Sequence, residues 1–287
     1  MPAVPQGRHG YLSINNSIFG GAKLLPVFSW SMPNPDNLVT PMPVGNSFVT
    51  HYGKGLATTQ CVVAFDVRHD NTEVLSLNFW NSFQSRTWAS GFDDTVASTL
   101  IASDGSSLWT LANAKFESFT INATKGQQIG VQAVFVAPGV PTQSAHVPAA
   151  YAPASSSAPL MYDTADLTTG VTGDWYGVEI SAANNHVPNG PMGSAYGKNL
   201  SSWDAGVMSA AMSLTTAART NAIGEPITPE AQVVLRLAGG ATRNLTLQSV
   251  VPENPRDRGA QGTAQSFQTR RYIVMGLATP ANPLVVT

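Results

Sequence analysis

The side chains in this sequence that could do chemistry are few and dispersed. His9, His51, His69, His146 and His186 are the candidate metal ligands and general bases, and no two stand at the i, i+4 spacing that puts a zinc-binding pair on one helix face. They read as solvated loop histidines. Asp66, Arg68, His69, Asp70 and Glu73 crowd into "FDVRHDNTE", a composition that could imitate an acid–base group. Between the apolar runs "CVVAF" and "VLSLNFW", however, Asp and Asn are the residues of a turn. Asp163 and Asp166 in "YDTADLTTG" suit a loop or a helix cap, because a carboxylate pair alone does not specify hydrolysis. The single cysteine, Cys61 in "TQCVVAFDV", can form neither an intrachain disulfide nor a Cys-rich zinc site, and reads as a small core residue.

Motifs for covalent or phosphate chemistry are missing as well. The sequence contains no G-x-S-x-G nucleophile elbow. Neither "YGKG" nor "YGKN" is a phosphate loop, since the wrapping glycines and the hydroxyl after Lys are absent. Phe79, Trp80, Phe83 and Trp88 could make a sugar or base platform, but aromatics at this density are first of all core packing. The sequons "NNS", "NAT", "NLS" and "NLT" are read as chance, because "MPAVPQGRHG" lacks the apolar segment of a signal peptide. The expectation is a protein with no catalytic residue, no cofactor and no metal, made in a reducing cytosol. No apolar run approaches the roughly 18 residues of a membrane span.

The elements that would carry any site are β-rich. The 287 residues are 43% hydrophobic but only 11% charged, against roughly 25% charged in an ordinary soluble domain. A monomer depends on surface charge for solubility, so a surface this neutral points to burial against other subunits. The net charge of -2 is spread evenly, and "RDRG" with "TRR" is too small a basic cluster for a nucleic-acid footprint. At about 150 residues per domain the length allows two. The boundary falls at "PGVPTQSAHVPAAYAPASSSAP", Pro138 to Pro159, whose five prolines argue against a sheet ladder or a helix. The expected division is residues 1–139, a Pro/Ala/Ser linker at 140–160, and residues 161–287.

A linker at the midpoint prompts a search for a repeat. "YGKGL" at Tyr52 to Leu56 recurs as "YGKNL" at Tyr196 to Leu200, about half a chain length on. Flanking features keep the same order. "PVFSWSMPN" faces "YGVEISAANN", with Trp30 and Ile180 each before a Ser, and "TQCVVAFDV" faces "AGVMSAAMSLTT". "DDTVASTLIASDG" is then answered by "TPEAQVVLRLAGG", each reading as a short helix: Asp93 or Thr228 caps, Pro229 suits the first position and glycine follows the end. Their Val and Ile content leaves a strand reading open. Last come closing strand pairs. Phe119, Ile121 and Ala123 alternate with polar residues, "TKGQQ" turns, and Ile129, Val131, Ala133 and Phe135 alternate again, the period of half-buried strands. The second half answers with Leu245 and Leu247, a long loop "PENPRDRGAQG", and a strand from Phe267 to Ala278.

Two long Gly- and Pro-rich loops, Pro33 to Thr58 and Asn184 to Ala205, occur at matching places and read as arms that reach another subunit. With "WYGVEISAANNHVPNG" running through "YGKNLSSWDAGVMSAAMSLTT", "TPEAQVVLRLAGG" and the two closing hairpins, the sequence resembles the tail tube, or major tail, proteins of long-tailed bacteriophages. The likeness is to the variety with two tube domains in one chain. It covers nearly the whole chain and lies in element order and loop placement.

The resemblance implies a mainly β fold of two tandem β-barrel or sandwich domains, each with one short helix, from an internal duplication. It implies a structural virion protein that assembles into stacked rings, three chains giving a pseudo-sixfold ring, through whose lumen DNA passes without sequence recognition. The implied partners are the chain itself and the tape measure, terminator and distal tail proteins, with no membrane. The implied location is the virion tail after synthesis in the bacterial cytoplasm. Tyr52, Lys54, Tyr196 and Lys198 would lie near the bases of the arms, at inter-ring contacts. Two other classes stay open: a capsid decoration or other virion surface protein, and a carbohydrate-binding β-sandwich using Trp88, Trp109 and Trp203.

Overall fold

A computed structural model describes residues 11–25, 27–32, 38–39, 53–54, 58–67, 77–84, 86–89, 92–147, 160–161, 165–168, 175–189, 202–217, 231–237, 243–253, 257–261, 265–274 and 284–287. In chain order the first half forms β1 (Tyr11–Asn16), β2 (Gly21–Leu25), β3 (Val27–Ser31), β4 (Leu38–Val39), β5 (Gly53–Lys54) and β6 (Thr58–Asp66). The helix α1 (Leu77–Gln84) follows, then β7 (Arg86–Ala89), β8 (Phe92–Thr95), β9 (Ala97–Ser103), β10 (Ser107–Thr124), β11 (Gly130–Pro138) and β12 (Thr142–Ala145). The second half forms β13 (Ala165–Thr168), β14 (Trp175–Ala183), β15 (Val187–Asn189), β16 (Ser202–Asp204) and β17 (Ser209–Ala217). It continues with β18 (Ala231–Leu237), β19 (Arg243–Pro252), β20 (Asp257–Gln261), β21 (Gln265–Val274) and β22 (Leu284–Val286). The fold is mainly β. Among the described residues one 16-stranded antiparallel sheet runs β13-β18-β19-β21-β17-β14-β10-β11-β6-β3, with other strands branching from it, and no barrel closes.

Alternation puts one face of this sheet in the core. Phe119, Ile121, Ala123, Ile129, Val131, Ala133 and Phe135 are all buried, as their period of two requires. The two stretches read as helices are strands. In β9, Ser98, Leu100 and Ala102 are buried while Ala97, Thr99 and Ile101 are less so; in β18, Val233, Leu235 and Leu237 are buried and Gln232 and Arg236 exposed. Each has a strand on both sides, β1 and β10 for β9, β13 and β19 for β18. Those ladders outweigh a cap signal worth about 1 kcal/mol. The helix lies instead in "LNFWNSFQ", where Phe79, Trp80 and Phe83 share one buried face.

Three smaller expectations also change. The Pro-rich linker begins with β12, an exposed strand on the edge of β10, because Thr142 to Ala145 fall between prolines and can keep a short ladder. "DRGAQ" is not loop but β20, paired with β21. Asp166 lies within β13. Asp163 is outside the described residues.

The pairing scheme occurs twice. In the first half β1 pairs β9, β9 pairs β10, β10 pairs β11 and β12, β11 pairs β6, and β6 pairs β3. In the second β13 pairs β18, β18 pairs β19, β19 pairs β21 and β22, β21 pairs β17, and β17 pairs β14. The irregularities coincide as well. A bulge interrupts β3 between Val27 and Ser29, and another β14 between Trp175 and Gly177. A second pair of bulges lies between Leu111 and Ala114 and, in the other half, opposite Ala231 and Val233. There Asn113 (φ 55°) and Ser249 (φ 44°) take the left-handed conformation that non-glycine residues seldom adopt. Aligning the bulges sets Trp30 against Val178, so Trp30 and Ile180 are not equivalent positions. β20 continues β19 along β21 just as the second part of β10 runs along β11.

Candidate functional site: the junction of the two halves

No open cleft with converging catalytic groups organises the described residues; the feature the fold builds most deliberately is the seam between the halves. At 18 residues β10 is far longer than its partner β9. Its second part therefore leaves an edge, and β14 of the second half occupies it from Ser118 opposite Ala183 to Thr124 opposite Gly177. Phe119, Ile121 and Ala123 meet Ala182, Ile180 and Val178 on the core side, all buried. At one end of the seam the amide of Lys125 donates to the Tyr176 carbonyl at 2.8 Å, and Lys125 Nζ lies 4.6 Å from the centre of the Tyr176 ring.

The other end is sealed by a buried polar cluster. Asn184, fully buried, donates through Nδ2 to the carbonyls of Phe83 at 3.0 Å and Phe116 at 2.7 Å, and its backbone amide donates to the Glu117 carbonyl at 2.8 Å. One side chain thus ties α1, β10 and the end of β14. Two residues on, His186 donates its backbone N–H to Glu117 Oε2 at 3.1 Å and turns Nδ1 to the same oxygen. Its Nε2 faces Thr95 Oγ1 at 2.7 Å. Lys115 Nζ donates to the Thr95 carbonyl. Burial by itself raises the Glu117 carboxyl, but the hydrogen bonds and charge of His186 outweigh it and hold the group below its ordinary value.

The Glu117, His186 and Thr95 row has the order of a proton relay, with Thr95 at its inner end 1% exposed. It joins β8, β10 and the turn after β14. Gly206 completes the turn beyond: its N–H donates to the Asn184 carbonyl at 3.1 Å, and a Cβ there would lie 2.2 Å from the Asn185 carbonyl oxygen. On the open face of the sheet a shallow groove of about 430 Å³ crosses the seam, lined by Ser118, Thr120, Ser181, Ala183, Ala211 and Arg271 among others. Apart from the Arg271–Glu253 ion pair, with Nε 3.4 Å from Oε2, its lining is mostly hydroxyls and methyls.

Of the residues named from sequence, Tyr52, Tyr196 and Lys198 lie outside the described residues. The backbone of Lys54 lies in β5, opposite Leu38. His9, His51 and His69 are also outside. His186 is corrected from a solvated loop residue to a buried one, and His146 is half-buried with Nδ1 2.7 Å from Ser103 Oγ. His186, in the turn after β14, is covered through its contacts with Glu117 and Thr95, and His146 directly follows the short strand β12. Cys61 is buried, and burial pushes its thiol up to about 12. Sequence reasoning missed Asn184, Glu117 and Thr95. The one available signal was "SAANNH", a polar run directly after an apolar strand. No protein-family model matches this chain, and neither does any curated protein sequence.

Proposed function

We propose that this chain is a non-catalytic structural protein that assembles edge to edge into rings and stacked tubes, as the tail tube of a long-tailed bacteriophage. The observation that supports it is the doubled pairing scheme with its internal seam: two units of like topology are already docked side by side through β10 and β14. In this reading the units are tandem copies of one tube domain, residues 1–139 and 161–287. Three chains then supply six units to a ring. The matched hairpins β4–β5 and β15–β16 stand at the roots of the two arms, which contact the neighbouring ring. The partners are further copies of the chain, the tape measure, terminator and distal tail proteins, and DNA in transit through the lumen, and the location is the virion tail. Low charge fits a surface mostly covered by its own copies, and strand pairing hides edges that would otherwise aggregate.

Negative-stain electron microscopy of the purified protein over a range of concentrations and salt is the test. Hollow rings or tubes with three- or sixfold views are expected. A population of dispersed monomers under every condition would overturn the reading.

A further inference from the structure

The seam joins the edges of β10 and β14 within the chain, and the equivalent edges recur at two other places. β14 docks on β10, and by the matching pairings and bulges β3 is the counterpart of β14. Val27, opposite Phe65, matches Trp175, opposite Thr216; Ser29, past the bulge, matches Gly177. On the other side Val131 and Gln268 are equivalent, each facing one of those positions on β6 or β17. Their partners on the outer strand, Ile121 and Arg258, are therefore equivalent too. The stretch of β10 that receives β14 thus corresponds to β20. Among the described residues β20 has only β21 as strand partner and β3 only β6.

Resting on the self-assembly proposed above, we propose that β3 of one chain adds antiparallel to β20 of a second copy, in the register of the internal seam. Asn122 opposite Glu179 becomes Gly259 opposite Ser31; Ala123 opposite Val178 becomes Ala260 opposite Trp30; Thr124 opposite Gly177 becomes Gln261 opposite Ser29. Transferring the face alternation is consistent with this, since Trp30 packs against the core as Val178 does. The contact is heterologous, one edge to a different edge, so every chain that uses its β3 leaves a β20 open until the ring closes. The hairpin β15–β16 after β14 packs against β8 and β11 of the preceding half. Its counterpart β4–β5 accordingly lies over β21 of the second copy.

Disulfide trapping reads the register directly. Directly opposed residues of antiparallel strands are about 4.5–5.5 Å apart at Cα, within disulfide range, whereas a two-residue offset gives roughly 7–8 Å. The native Cys61 is buried with its thiol pushed up to about 12, so it stays silent. The Ser29→Cys, Gln261→Cys double variant is expected to form disulfide-linked multimers of the full chain on mild oxidation. The Ser29→Cys, Gly259→Cys variant is expected to stay uncrosslinked, and the Thr124→Cys, Gly177→Cys variant to link within one chain. Rings in the microscope with no linkage at Ser29 and Gln261, or with equal linkage in the offset pair, would overturn the register and leave the assembly reading standing. Monomers under all conditions would overturn both. Should the double variant fail to fold, hydrogen exchange of the unmodified protein decides: Val27–Ser31 and Asp257–Gln261 become protected together on assembly, and unchanged exchange in assembled protein overturns the proposal.

Discussion

Behind β10 and β11 the first half packs a helix and a knot of aromatic rings, whereas the described residues of the second half fill the same ladder mostly with aliphatic side chains. Phe79, Trp80 and Phe83 of α1 meet Phe116 and Phe119 of β10, with Phe79 to Phe116 at 5.3 Å and Phe83 to Phe119 at 4.7 Å between ring centres, and Phe116 stacks on Phe135 at 4.6 Å. The described core of the second half includes Val233, Leu235, Leu245, Leu247, Met212 and Leu214, with Tyr272 standing where Phe135 stands and Arg270 buried beside it, 5.5 Å from its ring. The same strand order, with bulges in the same places, survives both fillings. Backbone pairing and face alternation define this ladder, and side-chain volume fills whatever space the covering layer leaves.

The largest effect expected from testing that comparison comes from the core. Phe116→Ala should lower the unfolding free energy by about 3–5 kcal/mol and Leu247→Ala by about 2–5 kcal/mol in urea titration. Since one sheet runs through both halves, each should move a single transition, and two separated transitions would mean that the halves fold apart. Next is the seam. Asn184→Ala leaves the Phe83 and Phe116 carbonyls buried without this donor and should cost about 1–3 kcal/mol by the same titration, although it removes no apolar side chain. A neutral result would show that the seam is not held by this cluster.

The matched bulges predict smaller, paired gains. Glycine relieves a left-handed residue, so Ser249→Gly should stabilise by about 1 kcal/mol in thermal melts, and Asn113→Gly by less because asparagine tolerates that conformation better. Opposite signs at the two positions would break their equivalence. The smallest effect is on pH dependence. Because Glu117 is held below its ordinary value when folded, its contribution is present above the unfolded-state value near 4.5 and is lost as pH falls through the folded one. Glu117→Gln should therefore narrow the gap between melting temperatures measured at pH 7 and at pH 3, and a gap of unchanged size would show that the carboxylate of the seam is not the group being titrated.

Much of the ladder was legible from residue order. The closing strands of the first half alternate so regularly that their buried face could be named, and all seven residues assigned to it are buried. The order of features named along the chain recurs in the pairing scheme, but Trp30 and Ile180, each followed by a Ser, are not equivalent, since the matched bulges set Trp30 against Val178. Helix and strand were confused at β9 and β18, where capping residues flank β-branched runs. The strand β20 was hidden in a stretch of Pro, Asp, Arg and Gly. The seam cluster was not legible at all: Thr95, Glu117 and His186 are brought together from β8, β10 and the turn after β14.

By itself, then, the sequence determined the β class and the inward face of its most regular strands, since both follow from short-range periodicity along the chain. The tertiary structure alone decided which ambiguous runs became strands, where the single described helix sits and which strand of one half receives a strand of the other. Those choices depend on partners far away in the chain. An ambiguous run becomes a strand when neighbours on both sides take up its backbone hydrogen bonds, and a long strand becomes a docking edge only where it outlasts its own partner.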